Sequence, residues 1–157
     1  MTDQIETALF KANVLPVRGR QIFWLISKTQ LEHVVTDAEV VQSPSGHPHV
    51  QGIAHWQGLS IPVIDLEKFY NFKLLKDVVP QKRALVKTLV EQNSDTVQRF
   101  LVNIPYDIRL VVLSEECKPA RVTQEELDKR GLLGVYEWEK DKLLLVPDLS
   151  RIARFGN

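Results

Sequence analysis

The sequence predicts a mainly β protein made of two similar small units, and three observations lead there. The first is an internal repeat. Residues 52–66 read GIAHWQGLSIPVIDL and residues 134–149 read GVYEWEKDKLLLVPDL. Gly52 and Gly134 correspond, as do Trp56 and Trp138, Asp65 and Asp148, Leu66 and Leu149. The second copy has one extra residue, placed where a hairpin turn absorbs it. Such a repeat in a short chain points to two like units packed as one domain. The second observation is a succession of short apolar runs separated by turn signals, the pattern of small barrels or a sandwich. The third is length. At 157 residues the chain fits one domain, or two half-domains sharing a core. A unit of roughly 60 to 70 residues is marginal alone, so two would pack together.

Taken in order, strands are expected at 12–17, 21–27, 39–41, 51–56, 59–64, 83–90, 98–104, 108–113, 132–138 and 142–146. Arg18-Gly19-Arg20, Gln57-Gly58, Gln92-Asn93-Ser94-Asp95 and Lys140-Asp141 supply turns between them. Pro62 has no amide proton, so its strand must leave that site unpaired, at an edge or a bulge. Asp65 is placed to cap a short helix in which Leu66, Phe69 and Tyr70 share a face, and Asp148 one with Leu149, Ile152 and Ala153. Thr123 with Glu126 forms a capping box, and Gly131 sits at the expected stop. Residues 71–82 link the two units. No tract is of low complexity, and no long tail extends beyond the first ten or so residues. On the apolar run 22–26 both strand faces are expected to be covered, and Phe23, Trp24, Trp56 and Trp138 read as core.

Bulk composition excludes several classes. Twenty basic residues balance twenty acidic ones, so nothing electrostatic calls for nucleic acid or an anionic membrane. One cysteine, Cys117, leaves no intramolecular disulfide and no multi-cysteine metal site. The opening MTDQIETALF lacks a basic region before an apolar run and does not read as a signal peptide. The apolar runs at 110–113 and 143–146 are too short to cross a bilayer. A soluble, cytoplasmic protein without membrane insertion is expected.

Catalytic and metal chemistry finds little purchase. His47, His49 and His55 lie close in sequence, but zinc normally takes four ligands and nothing nearby completes the set. Ser43-Pro44-Ser45-Gly46 is not a nucleophile elbow, which needs glycine on both sides of the serine. Glu115 and Glu116 beside Cys117 oppose an activated thiolate. Asp65 and Asp148 are accounted for as helix caps, and no glycine-rich phosphate loop occurs.

The segment 14–69 resembles the CheW-like family of chemotaxis coupling proteins. The resemblance rests on the Gly-Ile opening at Gly52, the turn ending in Gly58, the run IPVIDL and the upstream VVQSPSGHPHVQG. GLLGVYEWEKDKLLLVPDLSRI in the second half matches more weakly. It implies two pseudo-symmetric five-stranded β-barrels, SH3- or OB-like, with short capping helices and an apolar groove between them. On this division 1–157 is a single domain, with 12–72 the first barrel and 83–154 the second. It further implies a scaffold without catalytic activity or cofactor. Such a scaffold binds the regulatory domain of a CheA-type histidine kinase and the cytoplasmic tip of a chemoreceptor.

One departure bears on partners. The family turn usually reads Asn-Leu-Arg-Gly, whereas here it reads His55-Trp56-Gln57-Gly58. Gln57 removes a fixed charge and a guanidinium fork. His33, with Glu32 beside it, falls where the family often has the arginine's acidic partner. The divergence bears most on receptor coupling and resembles type IV pilus or other alternative chemosensory systems. The partner-binding residues expected on this basis are Val34, Val35, Gln51, Ile53, His55, Gln57, Gly58 and Leu59. Two other classes stand beside the adaptor. One is an OB- or SH3-like nucleic-acid binder, which needs a basic face with exposed aromatics. The other is a small hydrolase or metal enzyme built on the histidines.

Overall fold

The computed structural model describes residues 4–42, 47–89, 97–114 and 117–155. The Ser43-Pro44-Ser45-Gly46 loop, Val90, the turn at Gln92-Asn93-Ser94-Asp95 and the Glu115-Glu116 pair lie outside the described residues. Strands β1 (Ile5–Lys11), β2 (Gln21–Ser27), β3 (Leu31–Thr36), β4 (Val40–Val41), β5 (Val50–Trp56) and β6 (Leu59–Ile64) lead into helix α1 (Leu66–Phe69). After the link come β7 (Lys82–Leu89), β8 (Val97–Ile104), β9 (Ile108–Leu113) and β10 (Lys118–Pro119). Helix α2 (Gln124–Arg130), strands β11 (Leu132–Trp138) and β12 (Lys142–Pro147), and helix α3 (Leu149–Phe155) complete the chain.

These strands form two six-stranded sheets, in the orders β10-β11-β12-β2-β1-β9 and β4-β5-β6-β8-β7-β3. Laid side by side, the orders show the repeat in three dimensions, because strands six places apart in the chain hold the same position in the two sheets: β4 with β10, β5 with β11, β6 with β12, β2 with β8, β1 with β7 and β3 with β9. The expected barrel units 12–72 and 83–154 therefore need correction. Each sheet takes one antiparallel pair, β1·β2 or β7·β8, from one half and four strands from the other, with the parallel ladders β12·β2 and β6·β8 at the centre. The physical reason lies in β2 and β8. Both are apolar on two faces, so neither can serve as an outer strand, and each is flanked on both sides only through this exchange.

A six-stranded sheet laid flat would be about 24 Å wide. The two edges of the second sheet, β3 and β4, are joined by a segment spanning four residue steps, Thr36 to Val40, which reaches at most about 14 Å. That sheet must therefore curl towards a barrel. A ring contact between His33 on β3 and Trp56 on β5, with centroids 5.6 Å apart, bridges the curled edges. Five strands per barrel were expected; the sixth in each sheet is the two-residue piece β4 or β10.

The core forms three layers, and β2 shows how. Phe23 and Leu25 face the interior of the first sheet with Leu9, Leu113, Trp138 and Leu144. Ile22, Trp24 and Ile26 face the opposite way, into the largest cluster, which lies between the sheets. Strand β8 repeats the pattern, with Phe100, Val102 and Ile104 between the sheets and Leu101 inside the second sheet beside Val35, Ala54, Ile61, Val63 and Leu85. The apolar groove expected between barrels is thus filled by core side chains. Trp24 is fully buried, Phe23 and Trp138 are buried, and Trp56 is half-buried.

Local expectations held at the helix starts. Asp65 accepts the amide of Lys68 and Asp148 that of Arg151, each at 3.1 Å. Thr123 accepts the Glu126 amide at 3.2 Å, and Gly131 closes α2 in the left-handed region. Gly52 and Gly134 both sit at register shifts of their hairpins. The β6·β8 ladder begins at Val63, directly after Pro62, so the missing amide costs no ladder bond.

The strand pattern near the start differs from the expected one. Residues 5–11, read as a tail, form β1, while 12–17 carry only isolated bridges. In β1 Leu9 and Phe10 enter different core layers, so no period-2 alternation marks it. Strand β3 was missed because Glu32 and His33 interrupt its apolar run and a register shift falls between Leu31 and His33.

Candidate functional site

The β5–β6 hairpin presents the surface that the sequence singles out. Its two-residue turn has Gln57 at φ 47° and Gly58 at φ 77°, the doubly positive geometry whose twist matches paired strands. Alternation then sorts the flanking side chains. Ala54, Ile61 and Val63 point into the second barrel, leaving Ile53 paired with Pro62 and His55 with Ser60 on the other face. His55 Nδ1 lies 3.2 Å from Ser60 Oγ. His55, Gln57, Gly58 and Leu59 are exposed, and Ile53 is half-buried. This strip carries apolar and neutral polar groups and no fixed charge.

Three of the expected residues do not join it. Val35 is 4% exposed and packs in the barrel core, so it offers no surface to a partner. Val34, on the opposite face of β3, packs against the inter-sheet cluster. Gln51 is half-buried in a polar network, where its side-chain oxygen accepts from Asn103 and its amide donates to Asp65 Oδ2 at 3.4 Å. Bulge placement and sheet curvature decide these orientations, and neither is encoded by spacing alone.

His33 and Glu32 also part company. The His33 ring leans on Trp56, directly before Gln57, whereas Glu32 pairs with Arg99 of β8 at 2.6 Å. The turn thus stands on an aromatic contact, and the nearby carboxylate is engaged elsewhere.

A second cluster went unread in the sequence. Beneath the 71–82 link lies a cavity of about 290 Å³ lined by Asn13, Gln51, Asp65, Glu67, Asp77 and Asn103, among others. Arg83 Nε donates to Asn103 Oδ1 at 2.9 Å, and burial pulls the guanidinium pKa down. Glu67 is 2% exposed, and one carboxylate oxygen accepts from the Asn13 amide at 3.0 Å and from Trp24 Nε1 at 3.3 Å. Burial, helped by the charge of Asp65, raises its pKa to about 7 against those two bonds. In sequence Glu67 lies off the face shared by Leu66, Phe69 and Tyr70 and carries no motif. Its partners lie 43 and 54 positions away, beyond any local signal.

Two of the three histidines close in sequence, His47 and His49, stand in ring contacts. The rings of His47 and His49 are 5.4 Å apart, and buried His49 meets Phe69 edge-on at 4.9 Å. Among the described residues no group of three or more His, Cys, Asp or Glu side chains is arranged to hold a metal. Half-buried Cys117 packs against the core of the first sheet. No helix among the described residues is long and apolar enough to cross a membrane.

Comparison with known proteins agrees with this architecture. The family model of the CheW-like domain matches residues 14–155. Among solved structures, the scaffolding protein TtCheW from Thermoanaerobacter tengcongensis is similar at a TM-score of 0.65 and 17% sequence identity, covering 93% of this chain and 90% of that one. No curated protein matches.

Proposed function

Because the chain belongs to the CheW-like domain family, we propose that it is a non-catalytic adaptor in chemosensory signalling, joining the regulatory domain of a CheA-type histidine kinase to the cytoplasmic tip of a chemoreceptor. The observation that carries this reading is the family match over nearly the whole described chain, on a fold like that of a scaffolding protein. Proteins of the family are scaffolds, and the role assigned here needs neither cofactor nor metal. Its place of action is the cytoplasm, where the kinase and the receptor tip are found.

The contact surface is the hairpin strip of Ile53, His55, Gln57, Gly58 and Leu59. Leu59, 48% exposed, supplies an apolar anchor, and the polar groups around it form a rim. With glutamine at the tip, the matching partner surface has no use for a carboxylate placed to meet arginine. The nucleic-acid alternative fares worse, since Phe23, Trp24 and Trp138, the aromatics a stacking platform would use, are buried.

The test is a pull-down with tagged protein from the native lysate, read by mass spectrometry. Recovery of a CheA-type kinase or a methyl-accepting receptor is expected. Recovery of neither, with protein shown to be folded, overturns the adaptor role. Gln57→Arg then locates the interface: weaker binding to the recovered partner is expected, and unchanged affinity places the turn outside the contact.

A further inference from the structure

Residues 71–82, joining the two halves, run across the cavity as a strap with little burial of its own. Lys73, Leu75, Lys76, Asp77 and Val79 are exposed, the last at 87%. Phe72 anchors its start, with its amide donated to the Glu67 carbonyl at 2.8 Å and its ring 5.9 Å from that of Trp24. Near its end the Gln81 carbonyl accepts the Asp37 amide at 3.3 Å. Between them the ties converge on two residues at the exit of β1. Val14 bridges Leu74, the Leu75 amide donates to the Asn13 carbonyl at 3.0 Å, and Asn13 Nδ2 donates to the Lys76 carbonyl at 2.7 Å. Tyr106 adds a hydroxyl donated to Asn13 Oδ1 at 3.2 Å. Asn13 is itself held from below, its amide donating to Glu67. A segment with few buried contacts opens locally at low cost, so the strap's seating depends on what holds residue 13.

We propose that Glu67 is a proton-operated clasp for this strap: its neutral form keeps residue 13 and residues 71–82 seated over the cavity, and its ionised form loosens them. Two N–H donors favour the anion, but it lies out of water beside a second carboxylate. The charged or titratable groups around it are Asp65 and Lys68 from its own helix and Asp77 and Lys76 from the strap. Beyond its two N–H donors lie Tyr70 against Trp24, and Tyr106 on Asn13 with the Lys11 ammonium 5.3 Å from its ring centroid; Arg83 is bound to Asn103 on the cavity wall. The Lys76 ammonium lies over the Tyr106 ring, 5.6 Å from its centroid, and the Asp65 carboxylate is bound to the Lys68 amide and Gln51. None of these is an ion-pair partner for Glu67. The cavity is already open to solvent on one side, but Glu67 is buried at its wall; lifting the strap exposes the carboxylate to that water, which hydrates the anion and lowers its energy.

Linkage sets the size of the effect. The closed state holds the proton with a pKa of about 7, and the opened state releases it nearer the ordinary value of 4.5. From pH 6 to 8 the opening equilibrium then grows about fivefold to tenfold, depending on how fully the opened state hydrates the carboxylate. Hydrogen exchange of the Asn13 and Leu75 amides, corrected for the intrinsic pH dependence, reads this directly. In the native protein both should speed up by that factor. Glu67→Gln keeps an acceptor for both N–H donors but carries no charge, and its corrected rates should be flat. A flat native profile, or the same slope in Glu67→Gln, overturns the clasp. Carboxyl carbon NMR of the native protein needs no variant. Glu67 should titrate near 7 together with the amide shifts of residues 73–77, and a midpoint below about 5 overturns the proposal.

Discussion

The Tyr70 hydroxyl joins the two halves, and its removal is a sharp test of how they are held. It donates to the Gly131 carbonyl at the end of α2 and accepts the Asp148 amide at the start of α3, both at 2.9 Å. Burial raises the phenol pKa well above its ordinary value, so the hydroxyl stays a donor at any working pH. Tyr70→Phe keeps the ring against Trp24, at 5.4 Å between centroids, and against Phe69 at 5.0 Å. Only the two hydrogen bonds go, and they leave a carbonyl and an amide without this partner at a half-buried site. At about 1 kcal/mol net for each bond, the loss is about 2 kcal/mol. For a domain of this size that lowers Tm by about 4–8 °C. The assay is thermal unfolding followed by circular dichroism, with Tyr106→Phe as control. Tyr106 donates one longer bond, 3.2 Å, at the strap, and its loss should cost under about 1 kcal/mol. A Tyr70→Phe Tm within about 1 °C of the native protein would refute the view that this hydroxyl ties the halves together.

Three further outcomes are expected. Val35→Ala should cost about 2 kcal/mol in a denaturant titration and leave partner affinity per folded molecule unchanged, because Val35 is core. A Cβ at Gly52 would fall on the Val41 carbonyl oxygen, so Gly52→Ala should cost about 1–3 kcal/mol, whereas Gly58→Ala meets open space and should cost about 1 kcal/mol for its positive φ; chemical denaturation of both variants ranks them. Glu67 binds its proton more tightly folded, at about 7, than unfolded at 4.5, so its contribution is fully present below pH 4.5 and fades as pH rises through 7. The stability difference between native protein and Glu67→Gln should therefore shift against the native chain by about 3 kcal/mol between pH 4 and pH 8, measured by urea titration at each pH.

Much of this protein was legible residue by residue. The caps at Asp65, Thr123 and Asp148 act between residues three apart, and the Gln57-Gly58 turn is set by two dihedrals. The Gly-Trp-Asp-Leu repeat placed equivalent hairpins and helix starts, with both glycines at register shifts. These features arise within one turn or one hairpin, so neighbouring side chains suffice to specify them. The double-faced apolar run of β2 likewise announced that both of its sides would be covered.

Three-dimensional packing decided the rest. Which half supplies which strand to a sheet depends on the parallel ladders β12·β2 and β6·β8, and the first of these joins Leu145 to Trp24 across most of the chain. Nothing near Val35 in sequence says that a register shift turns it inward, nor that Gln51 would bind Asn103 in preference to water. Nothing in the sequence around Glu67 signals its burial, and only the meeting of α1, β2 and the chain leaving β1 enclosed it. Local chemistry specifies a piece of backbone through contacts between near neighbours, whereas burial and proton affinity are set by whatever distant chain closes over a side chain.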